Sequence, residues 1–488
     1  MTISFNSIPV GTRTPGTFVE FDSTRATNGL TPGINRILVV GQRLAAGTID
    51  ALTPKTVTSE GQADTWFGRG SMLSRMITAL KAADRLVETI AVALDDAVGA
   101  VAATGTITIA GPSTASGTIA LMIAGQRVAV TIGSGTSAAD TATAIAAAVN
   151  TMPDLPVTAS AAAAVVTLTA RQKGSCGNEI DLRHSYYVGE ELPAGITLAI
   201  VAMAGGAGDP DYGDVWSVIG DKAFSAIAIG TANAAILAAC KTELESRFGP
   251  ILAIDGFLFC AKSGSQGTLA AFGASLNSQF ISVMGSGESP SAPWEWAASY
   301  AAVANAAANI DPARPIQTLE LPGILAPNAT ELFTRAEREL LLKDGISTFT
   351  ADQDGTVRIE RGITTYQVNA ASAEDVSYLN VETMQTLSYL RYSLRNRFAI
   401  KFPRHKLADD GTRYGAGQKI VTPSVGRAEL VALAREWEEA GLVEDLDQFI
   451  DELIVERNAS DRDRLDALLP PNLVNQFRQF AAQVQFIL

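Results

Sequence analysis

Histidine is almost absent from this 488-residue chain: only His184 and His405 occur, so most histidine-based acid–base or nucleophilic schemes would have to use one of two residues. Cysteine is nearly as scarce. Cys176, Cys240 and Cys260 are odd in number, widely spaced and without a CxxC pair, which supports neither a disulfide framework nor a zinc site. Cys240 and Cys260 lie among apolar neighbours and are expected to be plain core residues. Charged residues make up 18% of the chain and the formal net charge is −14. That deficit of Lys and Arg argues against a general nucleic-acid binder and favours solubility at high copy number, against a self-repulsion that any assembly must overcome. Neither G-x-x-x-x-G-K-[ST] nor G-x-S-x-G occurs, so no P-loop nucleotide cycle and no nucleophile elbow are encoded. Apolar runs such as residues 161–166 fall far short of the ~20 residues of a membrane span. The opening MTISFNSIPVGTRTPG lacks the basic start and apolar run of a signal peptide. A soluble protein made in the cytoplasm is expected, with no catalytic residue, cofactor, metal, direct nucleic-acid contact or membrane insertion.

What is present reads as several domains. Residues 1–34 are punctuated by Pro9, Gly11, Pro15, Gly16, Gly29, Pro32 and Gly33, which exclude a helix and leave one short extended stretch at 17–22. Ile8, Phe18, Val19 and Phe21 on such an arm need cover from elsewhere. Residues 35–97 hold a doubly buried strand (NRILVVGQ), a helix carrying Leu73, Met76, Ile77 and Leu80, and a second strand from Ile90 to Leu94, which implies an α/β core. Composition then changes: between Thr104 and Ala170 only Arg127, Asp140 and Asp154 are ionisable, and short alternating segments such as TGTITIA, QRVAVTI and VVTLTA predict a β-rich insert over 98–207. The core resumes over 208–370 as alternating strands and helices with a mostly parallel sheet, a helix over 330–343 capped at Asn328 or Thr330, and a hairpin turning at Asp354 and Gly355. Residues 371–472 predict a long helix starting from Ser372 and Asp375 and a second one after Thr422 and Pro423. Residues 473–488 end in a strand-like alternation of Val484, Phe486 and Leu488 with Gln483, Gln485 and Ile487.

Candidate chemistry is sparse. Gly133, Gly135 and Ala138 spell G-x-G-x-x-A at a strand-to-helix step, the form of a dinucleotide fingerprint, but its acidic partner is misplaced and the flanking strands look antiparallel. A turn and helix cap is the better reading, with a nucleotide-binding α/β enzyme as the alternative. The pairs Asp95 with Asp96, Asp209 with Asp211, and Asp352 with Asp354 each sit in a turn, where Asp is favoured for local hydrogen bonding rather than for a cation. Arg391, Arg395, Arg397, Lys401, Arg404 and Lys406 form a run without an acidic residue, a docking candidate for an acidic protein surface. The following helix is the opposite, with Glu429, Glu436, Glu438, Glu439 and Glu444. The two could equally meet between copies of the chain.

TPGTFVEFD from Thr14, NRILVVGQRLAAGT from Asn35, FGRGSMLSRM from Phe67, DGISTFTADQDGTVRIERGITTYQ from Asp344 and NQFRQFAAQVQFIL from Asn475 resemble, in this order, the tail sheath family of Mu-like contractile-tailed bacteriophages. The resemblance implies a mixed α/β, multidomain subunit with an outward insert, a C-terminal domain near a tail tube, and two arms that each add a strand to a neighbour's sheet. It implies hexameric discs in a helical array, with the tail tube, baseplate and tail terminator proteins as further partners, in a virion tail assembled in the host bacterial cytoplasm. A related bacterial injection machine would fit as well. On this reading the arm contacts are Phe18, Val19, Phe21, Phe480, Val484, Phe486 and Leu488, and Arg391, Arg395, Arg397 and Lys401 are candidate tube contacts.

Overall fold

A strand buried on both faces needs apolar side chains without alternation, and RILVVGQ provides them: Ile37, Leu38, Val39 and Val40 are all buried. In the computed structural model, which describes residue 17, residues 33–415 and residues 417–487, this segment is β1 (Arg36–Gln42). It leads through β2 (Lys55–Val57), α1 (Glu60–Phe67) and α2 (Met72–Ala83) to β3 (Glu88–Leu94). Both helices start on a serine, Ser59 and Ser71, whose hydroxyls accept from the backbone N–H groups of Gln62 and Ser74. β3 pairs with β1 in parallel, Arg36 opposite Glu88.

The chain then leaves the sheet for β4 (Thr104–Ala110), β5 (Gly117–Ile123), β6 (Gln126–Ile132), α3 (Ala138–Asn150), β7 (Val157–Ala162), β8 (Val165–Ala170), β9 (Leu182–His184) and β10 (Thr197–Ala204). These make two antiparallel sheets, in the orders β10-β4-β8-β7 and β6-β5-β9. Alternation does what it should: Ile107 and Ile109 of β4 are buried while Thr104, Thr108 and Ala110 are exposed.

After α4 (Gly213–Ile219) the core continues through β11 (Ala226–Ile229), α5 (Ala234–Phe248), β12 (Phe257–Ser263), α6 (Gln266–Ala274), β13 (Ile281–Gly287), α7 (Pro293–Ile310), α8 (Arg335–Lys343), β14 (Ile346–Ala351) and β15 (Val357–Arg361). The sheet runs β15-β14-β13-β12-β11-β1-β3-β2, parallel from β14 to β3 and antiparallel at both edges. α7 lies on it with Trp296 and Tyr300 fully buried, their rings 4.8 Å from Phe349 and 5.0 Å from Phe259. Insert and sheet share one continuous apolar core.

α9 (Val381–Lys401) begins in this unit, which comprises residues 34–389 and 475–487; its second half belongs to another, Leu390–Val474. That unit adds β16 (Lys406–Leu407), β17 (Ile420–Val421), α10 (Pro423–Glu439), β18 (Val443–Glu444), α11 (Leu446–Glu452), β19 (Ile454–Arg457), β20 (Leu465–Leu468) and β21 (Asn472–Leu473). α10 opens as expected, with Thr422 as N-cap and Pro423 in the first turn. Its Trp437 is buried and donates through Nε1 to Ser393 Oγ at 2.9 Å.

Two helix starts differ from expectation. α8 begins at Arg335, not at residue 330, because Thr334 and Glu337 form a reciprocal capping box there. The long helix begins at Val381, not near Ser372: Ser372 has φ +59°, and the Asp375 carboxylate is engaged by Tyr366, by Ser377 Oγ and by the Ser377 N–H. Local side-chain bonds there compete with the helix and win.

The close approach of α6 to the turn before β14 is testable. A Cβ on Gly273 would lie 2.0 Å from Asp344 O, whereas one on Gly267 in the same helix meets nothing within 4 Å. Gly273→Ala should cost about 2 kcal/mol or more through overpacking, while Gly267→Ala should be neutral or stabilise by up to about 1 kcal/mol. Thermal denaturation of the two variants side by side checks the ordering.

Candidate assembly interface

The last residues carry apolar side chains that the subunit leaves uncovered. Phe477, Phe480, Val484, Phe486 and Ile487 are between 73% and 100% exposed. No regular strand forms over 474–487, so the alternation in the sequence is present without a partner strand to satisfy it. Leaving a Phe or Val in water forgoes roughly 1.5–3 kcal/mol per side chain, and a contiguous apolar stretch of this kind marks an interaction surface. Phe18, Val19, Phe21 and Leu488 lie outside the described residues.

The tail is nevertheless fixed at its root. Arg478 Nη2 donates to Glu382 Oε1 at 2.9 Å and Nη1 to Gln317 Oε1 at 3.4 Å. Glu382 has no exposed surface; the same oxygen accepts from the Ile316 N–H at 3.0 Å. Burial first, and then the nearby Arg478 charge, pull the Arg361 guanidinium below its ordinary value. The carboxylate is therefore the counter-charge of a small basic cluster. Sequence reading passed over this pair. Its one signal was that Arg478 is the single charged residue in NQFRQFAAQVQFIL.

The basic run of α9 faces acid from its own unit. Arg397 Nη1 donates to Glu429 Oε1 at 3.1 Å, Arg397 also bonds Glu436, and Lys401 Nζ reaches Glu429 at 2.8 Å. Glu429 keeps only 12% of its side chain exposed, so part of the charge on both helices is spent internally. Arg391 is half-buried and Arg395 exposed on the same helix.

The insert is not a loose appendage. The sheet grows from β1 toward β3 on one side and toward β11 on the other, and open α/β sheets usually hold a ligand at the carboxyl ends of the strands at such a reversal. Here that crevice is occupied by the chain itself. The turn Ser175–Glu179 from the insert lies there: Gln42 Nε2, at the end of β1, donates to Asp96 Oδ1 and Lys173 O at 2.7 Å each, and its Oε1 accepts from Cys176 Sγ at 3.1 Å. Asp209 accepts from Ser175 N–H and Oγ and from Asn233 Nδ2, and Lys262 pairs with Glu179 at 3.1 Å. Burial pushes the Asp96 and Glu179 carboxyls and the Cys176 thiol upward, as expected of a filled joint. Away from the crevice, Arg69 grips Asp154 through two bonds of 2.6 and 2.8 Å, which holds that carboxyl below its usual range.

The dinucleotide-like motif resolves as a turn. Gly135 has φ +84°, Ser137 caps α3 through the Asp140 N–H, and β6 runs antiparallel to β5, so no βαβ unit surrounds it. Of the acidic pairs, Asp211, Asp352 and Asp354 have local partners in the Gly213 N–H, Arg358 and the Thr356 N–H, whereas Asp95 pairs with the distant Arg43 and Asp96 and Asp209 are bonded within the joint. Among the described residues no group of three or more His, Cys, Asp or Glu is placed to hold a metal. Cys176, Cys240 and Cys260 are buried and free.

Three family models match along the chain: the phage tail sheath protein β-sandwich domain over residues 98–197, the phage tail sheath protein central domain over 205–365, and the phage tail sheath C-terminal domain over 373–487. Among solved structures, the anti-feeding prophage baseplate in the contracted state is 11% identical, with 96% of this chain and 97% of that one aligned at a TM-score of 0.50. The sheath tail protein of Desulfitobacterium hafniense is also 11% identical, with 94% and 100% covered at a TM-score of 0.48. The Mu-like prophage FluMu tail sheath protein of Haemophilus influenzae is 41% identical over 488 residues, the whole of both chains. With that full-length identity, the chain belongs to the phage tail sheath family.

Proposed function

We propose that this chain is the repeating subunit of a contractile tail sheath, a mechanical rather than catalytic protein that polymerises as stacked hexameric discs around a tail tube. The observation that carries the reading is the tail: apolar residues interspersed with glutamine, uncovered in the subunit, yet held at its root by an ion pair to the buried Glu382. Beyond Arg478 the ten residues 479–488 reach roughly 33 Å when extended at about 3.3 Å per residue, enough to lay a strand on a neighbour. The acceptor we favour is the hairpin β19–β20, a two-stranded sheet whose Ile454 and Leu468 are exposed. Two strands alone are marginal in water, and a third supplied by another copy completes them. The Thr17 to Asp22 segment, with Phe18, Val19 and Phe21, is the corresponding arm at the other end.

Such contacts are heterologous, and repeated they build rings and an open helix rather than a closed dimer. Contraction then slides subunits past one another between two packings while the arms keep them linked. The tail tube, baseplate and tail terminator are the other partners, and the sheath is assembled in the host cytoplasm before becoming part of the virion tail. Arg391 and Arg395 of α9 face the tube, with Arg397 and Lys401 held behind them by Glu429 and Glu436.

Removing residues 479–488, which spares the Arg478–Glu382 pair, should leave a folded, soluble subunit that forms no long sheaths in negative stain; normal sheaths would remove the tail from the assembly mechanism. Arg478→Ala removes the cation that bonds the buried Glu382 directly and should cost about 3 kcal/mol, read as a lowered unfolding midpoint, with the Glu382→Gln/Arg478→Gln pair less affected. Reversing Arg391 and Arg395 to Glu should weaken co-sedimentation with the tube protein while leaving the circular dichroism spectrum unchanged.

A further inference from the structure

An edge strand offers unpaired N–H and C=O groups to any other chain, and in a protein proposed to assemble by strand addition each wrong edge is a competing site. The edges of the two larger sheets are dealt with differently. β15 is covered by its own chain, since Thr318 and Leu321 N–H groups donate to Ile359 O and Val357 O and Ile359 N–H donates to Leu319 O. β2 has only three residues, preceded by Pro54 and opened by Lys55, and β10 carries a register break between Val201 and Ala204. Of these protections β7 has only the preceding proline, Pro156. VTASAA is six residues long, regular in register along β8, uncharged and without proline, and four of its side chains are exposed.

Its outward backbone groups belong to Val157, Ala159 and Ala161, alternating with those that face β8. Ala159 N–H donates to Asn150 Oδ1 at 2.9 Å, and Ala159 C=O accepts from Asn150 Nδ2 at 2.8 Å. Val157 C=O accepts from Arg171 Nε at 3.2 Å. One amide side chain thus occupies both groups of the central residue as a neighbouring strand would, and it comes from the last residue of α3, where Asn is a poor helix former. Both partners of the Asn150 bonds are solvent-accessible, so the bonds add little stability; what they deny is an empty register position.

We propose that Asn150, assisted by Arg171, is an edge guard that blocks strand addition by a second copy of this chain at β7, so that strand exchange between copies is left to the arms. The inference rests on the assembly reading above, and its test is separable from it. The full chain is compared as wild type, Asn150→Ala, Ala159→Pro and the Asn150→Ala/Ala159→Pro double variant, by thioflavin T fluorescence, light scattering and negative stain. The Ala159 N–H points away from β8, so proline there removes no ladder bond while denying the outward donor. Asn150→Ala should raise the rate of thioflavin-positive, irregular aggregation at least five-fold at unchanged far-UV circular dichroism, and the double variant should return to the wild-type rate, as should Ala159→Pro alone. No acceleration in Asn150→Ala overturns the guard. So does acceleration that the added proline fails to suppress, because the aggregation then does not pass through this edge, whether or not the variant is less stable. Regular sheaths in the wild type report on the assembly reading independently of either result.

Discussion

Backbone N–H and C=O groups at the ends and edges of strands must find partners, and the architecture of this subunit follows from where those partners come from. At the carboxyl end of β1 the Gln42 side chain ties the sheet to a turn of the insert, bonding Asp96, Lys173 and Cys176 across the point where the sheet reverses. At the edge formed by β15 the partners are the chain's own residues 318–321. At β7 they are Asn150 and Arg171. Among the described residues, the tail past Arg478 gathers several exposed apolar side chains on a segment with no regular structure, and it is the place where we propose that another copy joins.

The filled crevice has a second consequence. A doubly wound sheet is usually a ligand-binding scaffold, and its mouth lies at the strand reversal. Here the same place is a joint, with Glu179 held by Lys262 and Asp209 gathering three donors, so the insert is tied to the sheet near its exit and again at Arg69 and Asp154. These bonds and a common apolar core join the insert and the sheet.

Electrostatics tell a similar story of internal use. The basic run of α9 stands out in a chain of net charge −14, yet Arg397 and Lys401 are engaged by Glu429 and Glu436 of α10 in their own unit. A charge run in a sequence is a statement about one strand of text; whether it meets a partner depends on which helix packs opposite, and that is decided by apolar residues such as Leu430, Leu433 and Trp437.

Periodicity and punctuation made most of the elements legible: the unbroken RILVVGQ as a buried strand, the alternation of TGTITIA as a half-buried one, Thr422 and Pro423 as a helix start. Those signals act over a few residues, so they survive without knowledge of the fold. Where two local signals competed, as at Ser372 and at Thr330 against Thr334, sequence alone misplaced the helix starts by up to nine residues, since the winner is the set of side-chain bonds that also satisfies the neighbouring turn. The apolar character of the tail was readable because nothing local explained it. Its anchor at Glu382, the joint at Gln42 and the pairing of Asn150 with Ala159 were not, because each joins groups whose proximity arises only after the sheet order and the insert are in place. By itself the sequence determined which segments of the described core are strands and helices, through short-range sterics and hydrophobic spacing. The tertiary structure alone decided which charges are neutralised, which crevice is filled and which edges are closed, because those depend on residues brought together across 9 to more than 100 positions of chain.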